Sequence, residues 1–428
     1  MPHADAIADC ILATFKKLPA KCKPRPLVDG RREWVPLAGI VLSRSQGPLA
    51  NPSLVCAALA TGMKCLPQNK LALAQGNVLH DSHAEVLAIR AFNRWLVDEC
   101  ADLAAQGAGS TGNWVKWRSL PTPTQQNDTS KQTVPEEDGQ ALQADLDQQR
   151  QAFALHDDVE IHMYCSEAPC GDASMELTMA AQDDDSPWNR EIPDPDKLLG
   201  RGYFDQLGIV RRKPARSDAP ISFSKSCSDK LAMKQCTSLL NGVTSLLVHP
   251  AGAYLKTMVL PKSQCVPSAV QRAFGREGRL NPVTSEDVQR RWSKSGYAFR
   301  PFEVRTTDVE FDFSRRQIIL ENETLLPSNL SAIYTTRRIE AQINGTLQGR
   351  KQFDPRGASC VSRRRIWESV KDALSDEQLK CYDKNSSYAE LKMGTHLAAR
   401  EEVKSDVRKL ALKGWRRNVG DESWHLGD

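Results

Sequence analysis

The sequence predicts an α/β fold: a central mixed sheet with helices on both faces and a helical elaboration towards the C-terminus. Three observations point there. Apolar residues at helical spacing open the chain, runs of β-branched and small apolar residues follow as a pair, and from about residue 83 onward helix starts alternate with short extended runs. With 428 residues and 40% apolar content, the chain can bury a sizeable core.

The elements read in order as follows. ADAIADCILATFKKLP places Ile7, Ile11, Phe15 and Leu18 on one helix face and carries Asp5 and Asp9, unlike a secretory leader. EWVPLAGIVLS and LVCAALATGMKCL are expected to form a hairpin or neighbouring strands. HDSHAEVLAIRAF starts a helix expected to run to about Leu96, and S-H-A-E, with Ser82 and Glu85, has the form of a capping box. Between about 104 and 151 the composition turns to Gly, Ser, Thr, Gln, Pro and acid, which predicts a disordered insertion within a single domain spanning 1–428. VEIHMYC alternates as a strand, with His162 on its surface. APCGDASMELTMA turns into a short helix, and the stretch 181–199 is expected to be a flexible acidic loop. ISFSKSCSDKLAMKQC runs from an extended segment into a helix, YLKTMVLP is a strand, and VEFDFSRRQIIL reads as a hairpin. The stretch from Tyr388 to Asn418 is helical in period.

A formal net charge of +4 permits a polyanionic partner, and the basic excess lies late: 19 Lys and Arg against 11 Asp and Glu between Arg337 and Asn418. Twelve cysteines without a secretory leader read as reduced thiols. No run approaches the roughly 18 apolar residues of a membrane span. The expectation is an intracellular protein of cytoplasm or nucleus, with no membrane association and no obligate protein partner.

The chemistry concentrates at helix starts. His83 and Glu85 sit at one, Cys170 in P-C-G-D at a second, and Cys227 in K-S-C-S-D at a third. A helix N-terminus lowers a thiol's pKa towards the thiolate that metals bind. One imidazole and two thiolates would leave a zinc ion an open position. Cys165 and Cys236 lack the helix-start setting and read as packing thiols; Cys10, Cys22, Cys56, Cys65, Cys100, Cys265, Cys360 and Cys381 show no ligand spacing. H-A-E with P-C is the arrangement of zinc nucleobase deaminases, in which a glutamate that is not a ligand moves protons. Ala173 stands where the commonest form has a second cysteine, so that thiolate must come from far along the chain. Arg211, Arg212, Lys213 and Arg216 form a basic run suited to phosphate contact.

Taken together, HDSHAEVLAIRAF, SEAPCGDAS, GRGYFDQLGIVRRKPARSDAP, KSCSDKLA and YAELK resemble the eukaryotic tRNA-specific adenosine deaminases of the editase type, whose catalytic domain is shared with the double-stranded-RNA adenosine deaminases. The resemblance covers nearly the whole chain outside 104–151. It implies a cytidine-deaminase-like core, one Zn2+ on His83, Cys170 and Cys227, Glu85 as proton shuttle, and conversion of adenosine to inosine. Only 82 residues precede His83, and the first helix and strands occupy them, so the tRNA branch is expected, with the adenosine 3′ of the anticodon of alanine tRNA as substrate. The alternatives are an adenosine deaminase of double-stranded or messenger RNA and a non-catalytic, zinc-containing RNA-binding partner. The resemblance also implies one buried inositol hexakisphosphate, at positions matching Arg90, Lys230, Tyr388, Lys392, Lys404 and Trp415, whereas Ile89, Met233 and Lys234 depart from the family pattern. Lys64 matches a position close to RNA phosphate.

Overall fold

The computed structural model describes residues 2–25, 31–44, 53–118, 151–187, 199–200, 202–213, 220, 222–320 and 325–427. At its centre is an eight-stranded mixed sheet. Glu303–Thr307, Leu255–Pro261 and Val159–Cys165 run parallel to one another. Antiparallel pairing then carries the sheet through Leu37–Arg44, Ser53–Thr61, Leu330–Thr335, Arg338–Ile343 and Thr346–Leu347.

The strand Leu37–Arg44 is buried along all but its last residue, as a strand covered on both faces must be. Val41, Leu59, Tyr164 and Val259 pack beneath the first helix, Ala4–Lys16, through Ile7, Ile11 and Phe15. Ala38, Ile40 and Leu42 point the other way, into the larger cluster built around Leu87, Phe92 and Trp95 of the helix Ala84–Ala105. The first helix lies close on the sheet: a Cβ at Gly39 would come within 2.3 Å of Ile11 Cδ1.

Five expectations change. The long helix continues past Leu96 to Ala105. Part of the supposed insertion is ordered, because Val115–Trp117 pairs with Phe153–Leu155, Trp117 packs 4.6 Å from Phe153, and Trp114 meets Trp95 at 6.5 Å. Those aromatic residues give a polar-looking stretch something to bury; residues 119–150 lie outside the described residues. His162 is fully buried rather than on a strand surface, its Nε2 2.9 Å from Ser43 Oγ, because helices cover both faces of its strand. VEFDFSRRQIIL is not a hairpin. Its alternation is used by an extended segment that sets Phe311 and Phe313 edge-on to Phe15, at 4.9 and 5.8 Å, before the helix Arg315–Leu320. The C-terminal helical run is divided at Gly394 into Tyr388–Met393 and, after a 3-10 turn, Ala398–Leu410. Residues 181–187 of the acidic stretch are exposed, and 188–198 lie outside the described residues. Among the described residues, no helix is long and apolar enough to cross a membrane.

Candidate active site

His83 ends the short strand Asp81–His83, which pairs with Met63–Cys65, and serves as N-cap of the long helix without a side-chain capping bond. The capping box expected from S-H-A-E therefore does not form. Glu85 is left in the second helical position, 6% exposed, its carboxyl accepting from its own backbone N–H. Burial pushes its pKa up, and the negative charge at Cys170 pushes it further, against Lys213 and His83.

Cys170 and Cys227 are 57 positions apart in sequence yet meet. Gly171, at φ 100°, allows the approach, since a Cβ there would lie 2.2 Å from Ser226 Oγ. The Cys227 amide then donates to Cys170 Sγ at 3.3 Å, the Ser228 amide to Cys170 O at 3.0 Å, and Ser228 Oγ to Pro169 O at 2.8 Å. Ser226 caps the helix Cys227–Thr237 by accepting from the Asp229 amide. The Cys227 thiol and the His83 ring both hydrogen-bond Cys170 and hold its pKa well down, while burial and the neighbouring thiolate push Cys227 up.

A carboxylate that the sequence reading did not single out organises this site. Asp81 accepts from the His83 amide at 3.0 Å, faces His83 Nδ1 at 2.9 Å, and takes Lys213 Nζ and Ser224 Oγ, each at 3.0 Å, together with Lys230 Nζ. Burial alone would raise its pKa, but Lys213, Lys230 and His83 outweigh burial and hold it well below the usual carboxylate range. Lys213 also donates to Cys227 Sγ at 2.9 Å. Cys65 joins the group through strand pairing opposite Asp81. Its Sγ is 3.6 Å from His83 Nδ1, and the ligand atoms of Cys65, Asp81 and His83 all lie within 4.8 Å of one another.

Two of the residues expected to touch RNA turn inward. Lys213 is 2% exposed and spends its ammonium on Asp81 and Cys227. Arg211 is 1% exposed and donates to the Gly200, Tyr203 and Gln206 carbonyls. In sequence R-R-K reads as a solvated run; the strand pair Arg212–Lys213 with Ser224–Lys225 is what buries it. Arg212 and Lys64 are half-buried, Lys64 opposite Ser82, and Arg216 lies outside the described residues.

Behind the site lies a cavity of about 310 Å³ that Asp81 and Lys230 also line. Arg90, Lys392, Lys404 and Trp415 line it too, as expected, and Lys225, Arg363, Arg408 and Arg417 add four cations that sequence did not single out. Tyr388 stands beside it, with Lys392 Nζ and the Arg363 guanidinium each 5.7 Å from its ring. Burial, reinforced by neighbouring cations, lowers Lys392 to about 8 and Arg90 to about 10. Of the departures, Ile89 and Met233 are buried in apolar clusters. Lys234 is engaged with the Leu239 and Leu240 carbonyls at 3.0 and 2.6 Å.

The comparisons with known proteins agree with this geometry. The family model described as adenosine-deaminase (editase) domain matches residues 58–117 and 130–419. The chain is 35% identical over 419 residues to the tRNA-specific adenosine deaminase 1 of Schizosaccharomyces pombe, covering 97% of this chain and 95% of that one. It is 32% identical over 277 residues to the protein of the same name from Saccharomyces cerevisiae, covering 61% and 60% respectively. It is 23% identical over 502 residues to that of Macaca fascicularis, covering 95% and 96%. With a buried glutamate beside His83 and two converging cysteine segments inside the matched region, the chain belongs to the adenosine-deaminase (editase) domain family.

Proposed function

We infer that the chain deaminates adenosine to inosine in tRNA by hydrolysis, at the adenosine 3′ of the anticodon of alanine tRNA, on a cytidine-deaminase-like core. The observation that carries this reading is Glu85: a buried carboxyl whose pKa is raised by burial and by Cys170, close enough to feel the charge of both His83 and Cys170. A group in that state can accept a proton and return it.

The donor set fits zinc, since imidazole and thiolate suit that metal. His83, Cys170 and Cys227 would hold it, leaving one position open. When bound, zinc lowers the pKa of water to roughly 7 and so supplies the nucleophile. Cys65 and Asp81 are the competing donors beside His83. Asp81 is already committed to two ammonium groups, a hydroxyl and the His83 amide, so its role is to orient the imidazole. Lys213 steadies the charge on Cys227. Glu85 would take one proton from the attacking water and deliver it to the ring nitrogen of adenine. It would then take the second from the hydroxyl added at C6 and pass it to the amino group, which leaves as ammonia while C6 becomes the carbonyl of inosine. An anticodon loop is a suitable target because its bases are readily splayed, which reduces the cost of extrusion into a buried pocket.

The cavity fits a buried polyanion. Eight Lys and Arg side chains line it against the two carboxylates of Asp81 and Glu422, and inositol hexakisphosphate would neutralise that excess. Lys230 lies between the two sites, lining the cavity while bonded to Asp81.

Incubating the protein with total tRNA and mapping inosine tests the reading. Inosine at the expected position of alanine tRNA, with little on long perfect duplexes, supports it. Preferential editing of duplex RNA would assign the chain to the other branch of the family.

A further inference from the structure

With Arg211 and Lys213 turned inward, a tRNA needs other cations to hold its backbone, and one surface segment is rich in them. Between Arg350 and Arg365 there are six Lys and Arg residues and a single acid, Asp354. The first part of this stretch is a fixed arch. Leu79 N donates to Gly345 O at 3.0 Å at its start, and Arg364 N donates to Gly76 O at 3.1 Å beyond its end. Phe353 packs from its middle against Leu66, Leu71 and Val78. Asp354 is consumed locally: it accepts from the Arg356 amide at 3.0 Å and pairs with the Arg356 guanidinium at 2.8 Å.

Arg350 and Lys351 are exposed, as is Lys70 on the 3-10 turn Gln68–Leu73 beneath the arch. Among the described residues, no carboxylate lies within ion-pair distance of these three. Some other surface cations are paired, as in Lys262 with Asp308 at 2.7 Å and Arg291 with Asp406 at 2.7 Å. The arch is also well placed. It rests on the segment joining the strand Met63–Cys65 to Asp81–His83, and Leu66 N donates to His80 O at 2.9 Å across the base of that pair.

We propose that Arg350 and Lys351, with Lys70, form a phosphate-binding rim that seats the backbone of the folded tRNA beside the site; this rests on the tRNA reading above. Cations held on a rigid arch pay little ordering entropy when a phosphate arrives, and each contact releases counterions from the RNA. Such contacts position the RNA without reading its sequence.

The test uses the full chain and the double variant Arg350→Ala/Lys351→Ala, with tRNA binding followed by fluorescence anisotropy across a potassium chloride series. The variant should bind tRNA about tenfold more weakly near physiological salt, and its log–log salt slope should be shallower by about 2, roughly one per lost cation. Its KM for tRNA should rise while kcat at saturating tRNA and the melting temperature stay at wild-type values. Lys262→Ala, which removes a cation paired elsewhere, should leave the slope unchanged. A double variant with wild-type affinity and slope overturns the rim alone. Wild-type protein that neither binds nor deaminates tRNA overturns the reading on which it rests.

Discussion

Three thiols, Cys65, Cys170 and Cys227, compete for the proposed zinc beside the His83 imidazole. The Asp81 carboxylate already takes Lys213, Lys230, Ser224 and the His83 amide, and we propose Cys170 and Cys227, whose segments hydrogen-bond each other, rather than Cys65, 3.6 Å from His83 Nδ1, as the thiolate ligands. Cys227→Ala should therefore reduce zinc to about a tenth or less of one ion per chain and abolish deamination, because a structural thiolate ligand is lost. Cys65→Ala should keep the metal. Elemental analysis of the two purified variants decides, and zinc retained by the first but lost by the second would move the ligand to Cys65. The sequence singled out His83, Glu85, Cys170 and Cys227 from short motifs, and the structure brings the four together. Asp81 and Cys65 were not singled out, since they face each other only through the pairing of two three-residue strands. Lys213 was misread because charge in a row looks like surface, and nothing local announces that a second strand will cover it.

At the scale of elements, local pattern carried the reading for the first helix and the helix at Cys227, and for the Leu37–Arg44 and Ser53–Thr61 strands, whose continuous apolar runs suit strands covered on both faces. It failed where a third partner supplied the other face. His162 alternates as though it pointed to solvent, but the first helix closes over that side of the sheet. Phe311 and Phe313 alternate as a strand would, yet what they pair with is the ring of Phe15 rather than another backbone. Trp114 and Trp117 lay in a stretch whose average composition is polar, and averaging hid the two side chains that order it.

At the scale of the whole molecule, the cationic cavity joins regions that no local pattern connects: the long helix at Arg90, the cysteine-bearing helix at Lys230, Arg363, and the C-terminal residues Lys392 to Arg417. Matched positions named five of its lining residues; Lys225, Arg363, Arg408 and Arg417 converge only in three dimensions. The convergence has a pH signature. Burial, with Arg363, Lys404 and Arg417 nearby, lowers Lys392 to about 8 from an ordinary value of 10.5. Between those values the unfolded chain binds the extra proton, so stability of polyanion-free protein should rise with pH across that window. Added inositol hexakisphosphate should raise the melting temperature more at about pH 7.5 than at about pH 9.5, since it favours the charged form. Equal effects at both pH values, or none, would argue against a polyanion in this cavity.

The account as a whole depends on Glu85 moving protons at a metal it does not bind. The most direct measurement compares wild type and Glu85→Gln for zinc content, melting temperature and inosine formed in alanine tRNA. Gln preserves the shape of the side chain but cannot carry the proton, so the variant should retain one zinc and a near-normal melting temperature while losing at least about 10² to 10⁴-fold in rate. A variant that deaminates at close to the wild-type rate, or one that loses its zinc along with its activity, would contradict the assignment.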